Sequence, residues 1–163
     1  MSIKIWGWDK KKRTMLRFIK PGDIFCFPYD DKTYCFGRIM TKIMTGHVAE
    51  IFDYMSTEPT INEREINNSS RLMQVVILDS YGLFDKKMAD WRIIGHEEEY
   101  VPKDVEDIYF TYGVALSCKR MDFFSDNVTP IKQSEKSKYI EVSPEGDISI
   151  KNLIAEKIKK LPV

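Results

Sequence analysis

The chain has 163 residues, of which 43% are hydrophobic and 31% are charged, and its 25 basic side chains balance its 25 acidic ones. This length suits one domain, which we expect to span residues 1–163, and the composition excludes a chain that is disordered throughout. General nucleic-acid binders carry a basic excess, so the net charge of zero argues against that class of protein.

Targeting and redox features predict a cytoplasmic protein. Residues 1–7 lack the uninterrupted apolar stretch of a secretion signal. The sequence also contains no run of 18 or more apolar residues, the length that a membrane-spanning helix needs. The three cysteines, Cys26, Cys35 and Cys118, are odd in number and form no Cys-x-x-Cys pair. A disulfide framework and a zinc site are therefore not expected, and each thiol is interpreted as a small buried hydrophobic group.

The first predicted strands are rich in aromatic and β-branched residues, which favour sheet. After a first strand at 3–8, a turn leads into a hairpin formed by residues 24–28 and 33–40. Pro28 predicts an edge position or a strand end, because proline cannot donate to the ladder. Gly37, inside the second hairpin strand, predicts a bulge or the close approach of another backbone.

Further strands are predicted at residues 47–54, 72–78, 91–96, 108–110, 114–118 and 139–142. The continuous apolar run at 75–78 predicts burial on both faces of its strand. A helical turn is expected near 62–66, and the polar residues 125–137 are interpreted as a loop.

The C-terminal segment has the spacing of a helix. Its apolar residues recur every three or four positions, at Ile150, Leu153, Ile154, Ile158 and Leu161, and Pro162 would end it. Together these elements predict a mainly β fold (β-rich α+β). We expect a twisted antiparallel sheet or a partly closed barrel, with a C-terminal helix packed on it.

A search for catalytic chemistry finds no nucleotide-binding, zinc-protease or serine-hydrolase motif. The two histidines, His47 and His96, allow a Cys–His site or, because three glutamates follow His96, a metal site. Neighbouring residues of an extended chain point to opposite faces, however, and are poor joint ligands. We therefore predict no enzyme activity, no catalytic residues, no metal and no cofactor.

An acidic segment between residues 90 and 107 has seven acidic and two basic residues, a local balance of −5. The candidate partner-binding residues in this segment are Glu97, Glu98, Glu99, Asp104, Glu106 and Asp107. Such a surface would raise the association rate with a basic protein and fix the register of binding. The alternative interpretation is a solvated loop without a partner.

A basic segment, residues 10–20, supports a second hypothesis from another class. With Trp6 and Trp8 as stacking groups, it would belong to a nucleic-acid-binding regulatory protein. The net charge of zero argues against this alternative.

Two strand motifs resemble a known family. The segments KPGDIFCFP at residues 20–28 and YCFGRI at 34–39 are similar to the opening signature of the immunity protein 26 family, from bacterial polymorphic-toxin systems. That signature is a PGDIF-x-(I/F)-P strand, a polar turn and a Y-x-(Y/F)-G-R strand. The later segments EIFD at 50–53 and WRIIGH at 91–96 fit the family in the same order, whereas the tail from residue 113 shows no such resemblance.

The resemblance implies a mostly β immunity protein that neutralises the toxin of its own cell or of a sibling, as in contact-dependent inhibition, without catalysis. Its signature residues are chiefly apolar or glycine, so no toxin-binding residue is carried over from it. Our hypothesis is that the protein binds its cognate toxin in the cytoplasm and occludes the active site. If the toxin is a nuclease, its substrate groove is basic, and the carboxylates of the acidic segment would mimic phosphates.

Overall fold

The described residues of this computed structural model, 2–85 and 89–160, form ten strands and two α-helices. The strands are β1 (Ile3–Ile5), β2 (Asp23–Pro28), β3 (Tyr34–Ile43), β4 (Gly46–Ser56), β5 (Val76–Leu78), β6 (Arg92–Glu97), β7 (Tyr109–Tyr112), β8 (Lys119–Asp122), β9 (Val128–Pro130) and β10 (Ile140–Glu141). The helices are α1 (Glu63–Asn68) and α2 (Asp147–Lys159). The predicted helical residue Leu161 and the predicted stop at Pro162 lie outside the described residues.

Two sheets organise these strands. The larger has the order β1-β6-β2-β3-β4-β5, and all of its neighbouring strands are antiparallel. The smaller has the order β10-β7-β8-β9, in which only the β10–β7 pair is parallel. The β-rich fold with antiparallel sheets and a C-terminal helix is confirmed, and the sheet is open rather than closed into a barrel.

Stacked aromatic side chains form the centre of the core on one face of the larger sheet. The rings of Phe27 and Trp91 are parallel with centroids 3.7 Å apart, and the Phe25 ring lies 5.4 Å from that of Trp91. Helix α2 packs into the same cluster through Ile150 and Ile154, which are fully buried. Burial of side chains of this size contributes about 1.5–3 kcal/mol each, so the aromatic strands and the helix stabilise one another.

Strand β5 confirms the predicted burial on both faces. Val76 and Leu78 pack with the aromatic cluster, whereas Val75 and Ile77 pack on the other side, with Phe110 of the smaller sheet. The strand itself is shorter than the predicted range 72–78, because only its last three residues pair with β4.

The positions of Pro28 and Gly37 follow from the strand order. Pro28 is the last residue of β2, which confirms the predicted strand end. The alternative, an edge position, does not apply, because β2 lies between β3 and β6. Gly37 lies where the β3–β4 register shifts, and a Cβ there would collide with the backbone carbonyl of Glu50 and the ring of Phe25. The predicted bulge and close approach are both confirmed.

The predicted strand at 114–118 is wrong. Residues Ala115–Ser117 form a 3₁₀ turn, and β8 begins only at Lys119. Gly113 has φ 92° and Ala115 has φ 51°, which takes the chain out of the extended conformation.

The region 125–137, interpreted as a loop, contains β9 and a 3₁₀ turn that begins at Gln133. Every β9 residue is exposed, so no hydrophobic alternation marks this strand. Its backbone pairing with β8 defines it, and a pairing of this kind depends on the neighbouring strand rather than on the side chains.

Candidate functional site

A buried ion-pair network joins three strands of the larger sheet. Arg38 on β3 lies directly opposite Glu50 on β4, and its Nε donates to Glu50 Oε2 at 3.4 Å. Its Nη1 donates at 3.1 Å to Oε2 of Glu97, the last residue of β6. The side chains of Glu50 and Glu97 are only 10% and 6% exposed. Burying charges costs several kcal/mol per ion, and apolar side chains often stabilise such a position equally well, so folding stability alone does not explain this network.

Two aromatic rings enclose the Arg38 guanidinium. Its Cζ lies 4.7 Å from the ring centroid of Tyr100 and 5.4 Å from that of Phe52, in cation–π contacts. The Tyr100 hydroxyl donates to Glu50 Oε2 at 3.3 Å. Burial and the nearby Glu50 carboxylate raise the pKa of Tyr100 above its ordinary value, so this hydroxyl stays protonated and remains a donor.

A second arginine, Arg71, connects the network to the segment that follows β6. Its Nη2 donates to the carbonyl of Lys103 at 2.9 Å, and its Nη1 donates to the carbonyl of Asp104 at 3.2 Å. Its Nε lies 3.8 Å from Glu50 Oε1, which is an ion pair but too long for a hydrogen bond. Arg71 therefore fixes the backbone of this segment against the sheet.

These side chains line a cavity of about 430 Å³, which we call the Arg38 cavity. The rest of its wall comes from the end of α1, from Ser69 and Ser70, and from Val101, Lys103 and Asp104. The side chain of Asn62 caps α1 by accepting a hydrogen bond from the Glu65 backbone at 2.8 Å, which positions the helix beside the network. A cavity of this size with convergent polar groups is typical of a binding site.

The six acidic candidate residues fall into two groups. Glu97 is buried and bound to Arg38, so it belongs to the cavity wall. The exposed carboxylates are Glu98, Glu99, Asp104, Glu106 and Asp107. They lie in residues 98–107, which we call the acidic loop, and with Lys103 they carry a formal charge of −4.

The acidic loop has a defined conformation. Glu99 and Asp104 have φ values of 55° and 57°, a left-handed region that costs a non-glycine residue about 1–2 kcal/mol. Val105 is buried and packs in the cluster that contains Phe110 of the smaller sheet. This burial and the hydrogen bonds from Arg71 hold the backbone that carries the exposed carboxylates.

Both histidines have polar partners other than cysteine. His47 Nδ1 lies 2.7 Å from Ser80 Oγ, and His96 Nδ1 lies 2.8 Å from Asp23 Oδ1. Burial lowers the pKa of His47, so this ring is held neutral. Within residues 2–85 and 89–160, no group of three or more His, Cys, Asp or Glu side chains is arranged to hold a metal ion.

The cysteines of the β2–β3 hairpin do not face each other. Cys26 is opposite Phe36, and Cys35 is opposite Phe27, so the two thiols lie on opposite faces of the sheet. Burial raises the pKa of Cys35 to about 12 and that of Cys26 well above its ordinary value. Both thiols are therefore protonated at neutral pH, a state that does not suit a nucleophile.

The two tryptophans beside the basic segment are already packed against cations. Lys11 Nζ lies 5.0 Å from the centroid of Trp6, and Arg92 Cζ lies 3.9 Å from that of Trp8. The Trp6 indole also donates to the carbonyl of Ile93 at 2.9 Å. Stacking of bases on these rings would require displacing the protein's own contacts, so the geometry adds no support to the nucleic-acid alternative.

Sequence reasoning missed Arg38, Glu50, Arg71 and Tyr100 as members of one site. One signal was present, because Arg38 and Glu50 each stand between apolar residues near the middle of a strand. A charge in the middle of a buried strand requires a partner, and the register of β3 and β4 supplies it.

Comparison with known protein families gives a match over most of the chain. A family model described as immunity protein 26 matches residues 20–122. No curated protein and no solved structure matches the chain significantly. Among the described residues, no helix is long and apolar enough to cross a membrane.

Proposed function

The chain belongs to the immunity protein 26 family, and on this basis we propose that it binds and neutralises a cognate bacterial toxin. The family match covers more than half of the chain and includes the strands that carry Arg38, Glu50 and Glu97. The observation that carries the proposal is the position of the acidic loop, because this exposed surface of charge −4 lies inside the matched region.

We propose the acidic loop as the surface that contacts the toxin. Its five exposed carboxylates attract a basic partner, and complementary charge raises the association rate and fixes the register of docking. The anchoring by Arg71 and Val105 reduces the conformational entropy that the loop loses on binding. An ordered acidic surface therefore suits this role better than a mobile one.

The toxin that fits this surface best is a nuclease, whose substrate groove must be basic in order to bind phosphates. The carboxylates of the loop would occupy the positions of those phosphates and occlude the active site. Inhibition of this kind needs no catalysis, and it takes place in the cytoplasm, where the nucleic acid is found.

The first test is co-expression with the product of the neighbouring reading frame. We expect that product to arrest bacterial growth when it is expressed alone, and the arrest to be relieved when this protein is expressed with it. The two proteins should also purify as a stable complex. Rescue without a complex would contradict inhibition by binding, and the absence of both would overturn the proposed function.

The second test concerns the mode of inhibition. Purified toxin is assayed for cleavage of DNA and RNA with increasing amounts of this protein, at low and at high salt. We expect stoichiometric loss of cleavage together with competition between nucleic acid and this protein. A complex that still cleaves nucleic acid at the full rate would exclude occlusion of the active site.

A further inference from the structure

An apolar turn stands on the surface within the basic segment. Residues 15–18, which we call the apolar turn, are all exposed, and three of the four are large and apolar. Phe18 is 56% exposed, Met15 is 46% exposed and Leu16 is 39% exposed. A single apolar side chain at a surface is ordinary, but neighbouring ones form a patch of the kind that marks an interaction site.

The apolar turn is held at both ends. Before it, Thr14 is buried, and its backbone N–H donates to the carbonyl of Phe84 at 3.2 Å. After it, Ile19 is buried in the aromatic core cluster, and the Lys20 N–H donates to Asp23 Oδ2 at 3.0 Å. Because both neighbours are fixed, the fold itself presents the apolar side chains of the turn to solvent.

Cations lie on both sides of the apolar turn. The basic segment contains no acidic residue, and its basic residues are Lys10, Lys11, Lys12, Arg13, Arg17 and Lys20. Two of them are paired, Arg13 with Asp85 and Lys20 with Asp23, and with these two carboxylates counted the local charge is +4. The complement of this surface is therefore an anionic partner that also accepts apolar side chains.

An anionic bilayer offers both properties in one surface. Its phosphates attract lysine and arginine side chains, and the acyl region directly beneath them accepts apolar ones. A bilayer also needs no preformed pocket that matches the turn. Nucleic acid offers the phosphates without an acyl region, so it would leave Met15 and Leu16 in water.

We propose that the apolar turn and the cations beside it dock this protein on an anionic phospholipid surface. The apolar side chains enter the interface, while the neighbouring lysines lie at the level of the phosphates. Contact of this kind lies in the plane of the interface and needs no membrane-spanning helix. The family match begins at residue 20, so the turn lies outside the matched region and the inference goes beyond the proposed function.

Vesicle sedimentation tests the proposal without any toxin. Vesicles of equal parts phosphatidylglycerol and phosphatidylcholine are compared with vesicles of phosphatidylcholine alone, at low and at high salt. We expect binding to the anionic vesicles to be at least about tenfold tighter, and to weaken as salt is added. Equal binding to the two kinds of vesicle, or binding to neither, would overturn the proposal.

Two double variants separate the apolar contribution from the cationic one. Leu16→Ser with Phe18→Ser removes apolar side chains, and Lys10→Gln with Lys12→Gln removes two cations. All four positions are exposed, so both variants should fold, which circular dichroism checks. We expect each to bind anionic vesicles at least about tenfold more weakly than wild type. If L16S/F18S binds as wild type does, the apolar turn does not enter the bilayer and the proposal fails.

Matched controls lie on the exposed face of α2. Ile148→Ser removes an apolar side chain that is 75% exposed, and Lys157→Gln with Lys159→Gln removes two exposed cations. We expect both controls to bind anionic vesicles as wild type does, and equal weakening in test and control variants would overturn the proposal. Sodium polyglutamate serves as a second probe, since it offers carboxylates without an acyl region. Binding to polyglutamate as tight as to the anionic vesicles would indicate an acidic protein partner instead of a bilayer.

Discussion

Arg38 and Glu50 occupy directly opposed positions on β3 and β4, and Arg38 Nε donates to Glu50 Oε2 at 3.4 Å. The adjacent residue, Gly37, lies against the Glu50 backbone and sits at the register shift that brings the strands together here. Strand register, close backbone approach and charge pairing therefore depend on one another at this point. The first two predictions test that dependence.

Arg38→Met is expected to lower the free energy of unfolding by about 3–5 kcal/mol, because it leaves the buried Glu97 carboxylate without its cation and Glu50 with only the longer contact to Arg71. Urea denaturation followed by circular dichroism measures the loss. Arg13→Met is the matched control, since Arg13 is 56% exposed and pairs with Asp85 at the surface. Arg13→Met should lower the free energy of unfolding by less than about 1 kcal/mol. Equal losses in the two variants would contradict the role assigned to Arg38.

Gly37→Ala is expected to destabilise the protein by about 1–3 kcal/mol, because the added methyl group has no space between Glu50 and Phe25. Thermal and urea denaturation both report this loss. Gly146→Ala provides the comparison, since a Cβ there meets no atom within 4 Å. It precedes α2 at the cap position, so a cost of at most about 1 kcal/mol is expected. A larger effect at Gly146 than at Gly37 would argue against the close approach.

Arg71→Met is expected to release the acidic loop while the fold is retained. Its two hydrogen bonds to the carbonyls of Lys103 and Asp104 are lost, so amide hydrogen exchange should accelerate across residues 98–107. Exchange in β2 and β3 should change little. Arg64→Met, at an exposed position of α1, serves as the control. Unchanged exchange in the loop would show that Arg71 does not hold it.

Charge reversal in the acidic loop is expected to slow association with the toxin. Glu98→Lys with Glu106→Lys suits this test, because neither position has the left-handed backbone found at Glu99 and Asp104. The association rate at low salt should fall at least about tenfold, and its dependence on salt should flatten. Stopped-flow kinetics at two ionic strengths measures both effects. Kinetics identical to wild type would remove the acidic loop from the interface.

His47 is expected to make stability depend on pH. Burial lowers its pKa below the ordinary 6.5, so the unfolded chain binds a proton that the folded protein excludes. Stability should therefore be lost as the pH falls through 6.5 and regained as it rises. Comparison of wild type with His47→Gln from about pH 8 to about pH 5 isolates this contribution. If the stability of the two proteins changes with pH in the same way, His47 is not the source of the pH dependence.

Much of the larger sheet could be predicted, because several of its strands have short-range sequence patterns that are typical of β structure. The β2–β3 hairpin has aromatic runs on both sides of a polar turn, and β5 has a continuous apolar run, so length and pattern sufficed. The strand β9 and the turn at Ala115–Ser117 escaped prediction. The strand β9 depends on backbone pairing with β8, and its own side chains are all exposed. The turn depends on the positive φ values of Gly113 and Ala115.

For the site, the sequence indicated an acidic segment but not its division. Glu97 and Glu98 are neighbours in the chain, yet Glu97 is buried against Arg38 while Glu98 is exposed. Adjacent residues of an extended chain point to opposite sides. At the end of β6, Glu97 therefore points to the cavity wall, whereas Glu98 points to solvent. Which of the two side chains is buried depends on the residues that pack against it, here Arg38 against Glu97.

By itself, the sequence determined the mainly β class, the C-terminal helix, the family resemblance and the surplus of acidic charge after β6. These properties depend on residue type and on short-range periodicity, which are local. Only the tertiary structure decided that Arg38, Glu50, Arg71 and Glu97 meet around one cavity. Their contacts join residues up to 59 positions apart, and the pairing of β2 with both β3 and β6 brings them together. Contacts across such separations follow from strand order, which no local pattern specifies.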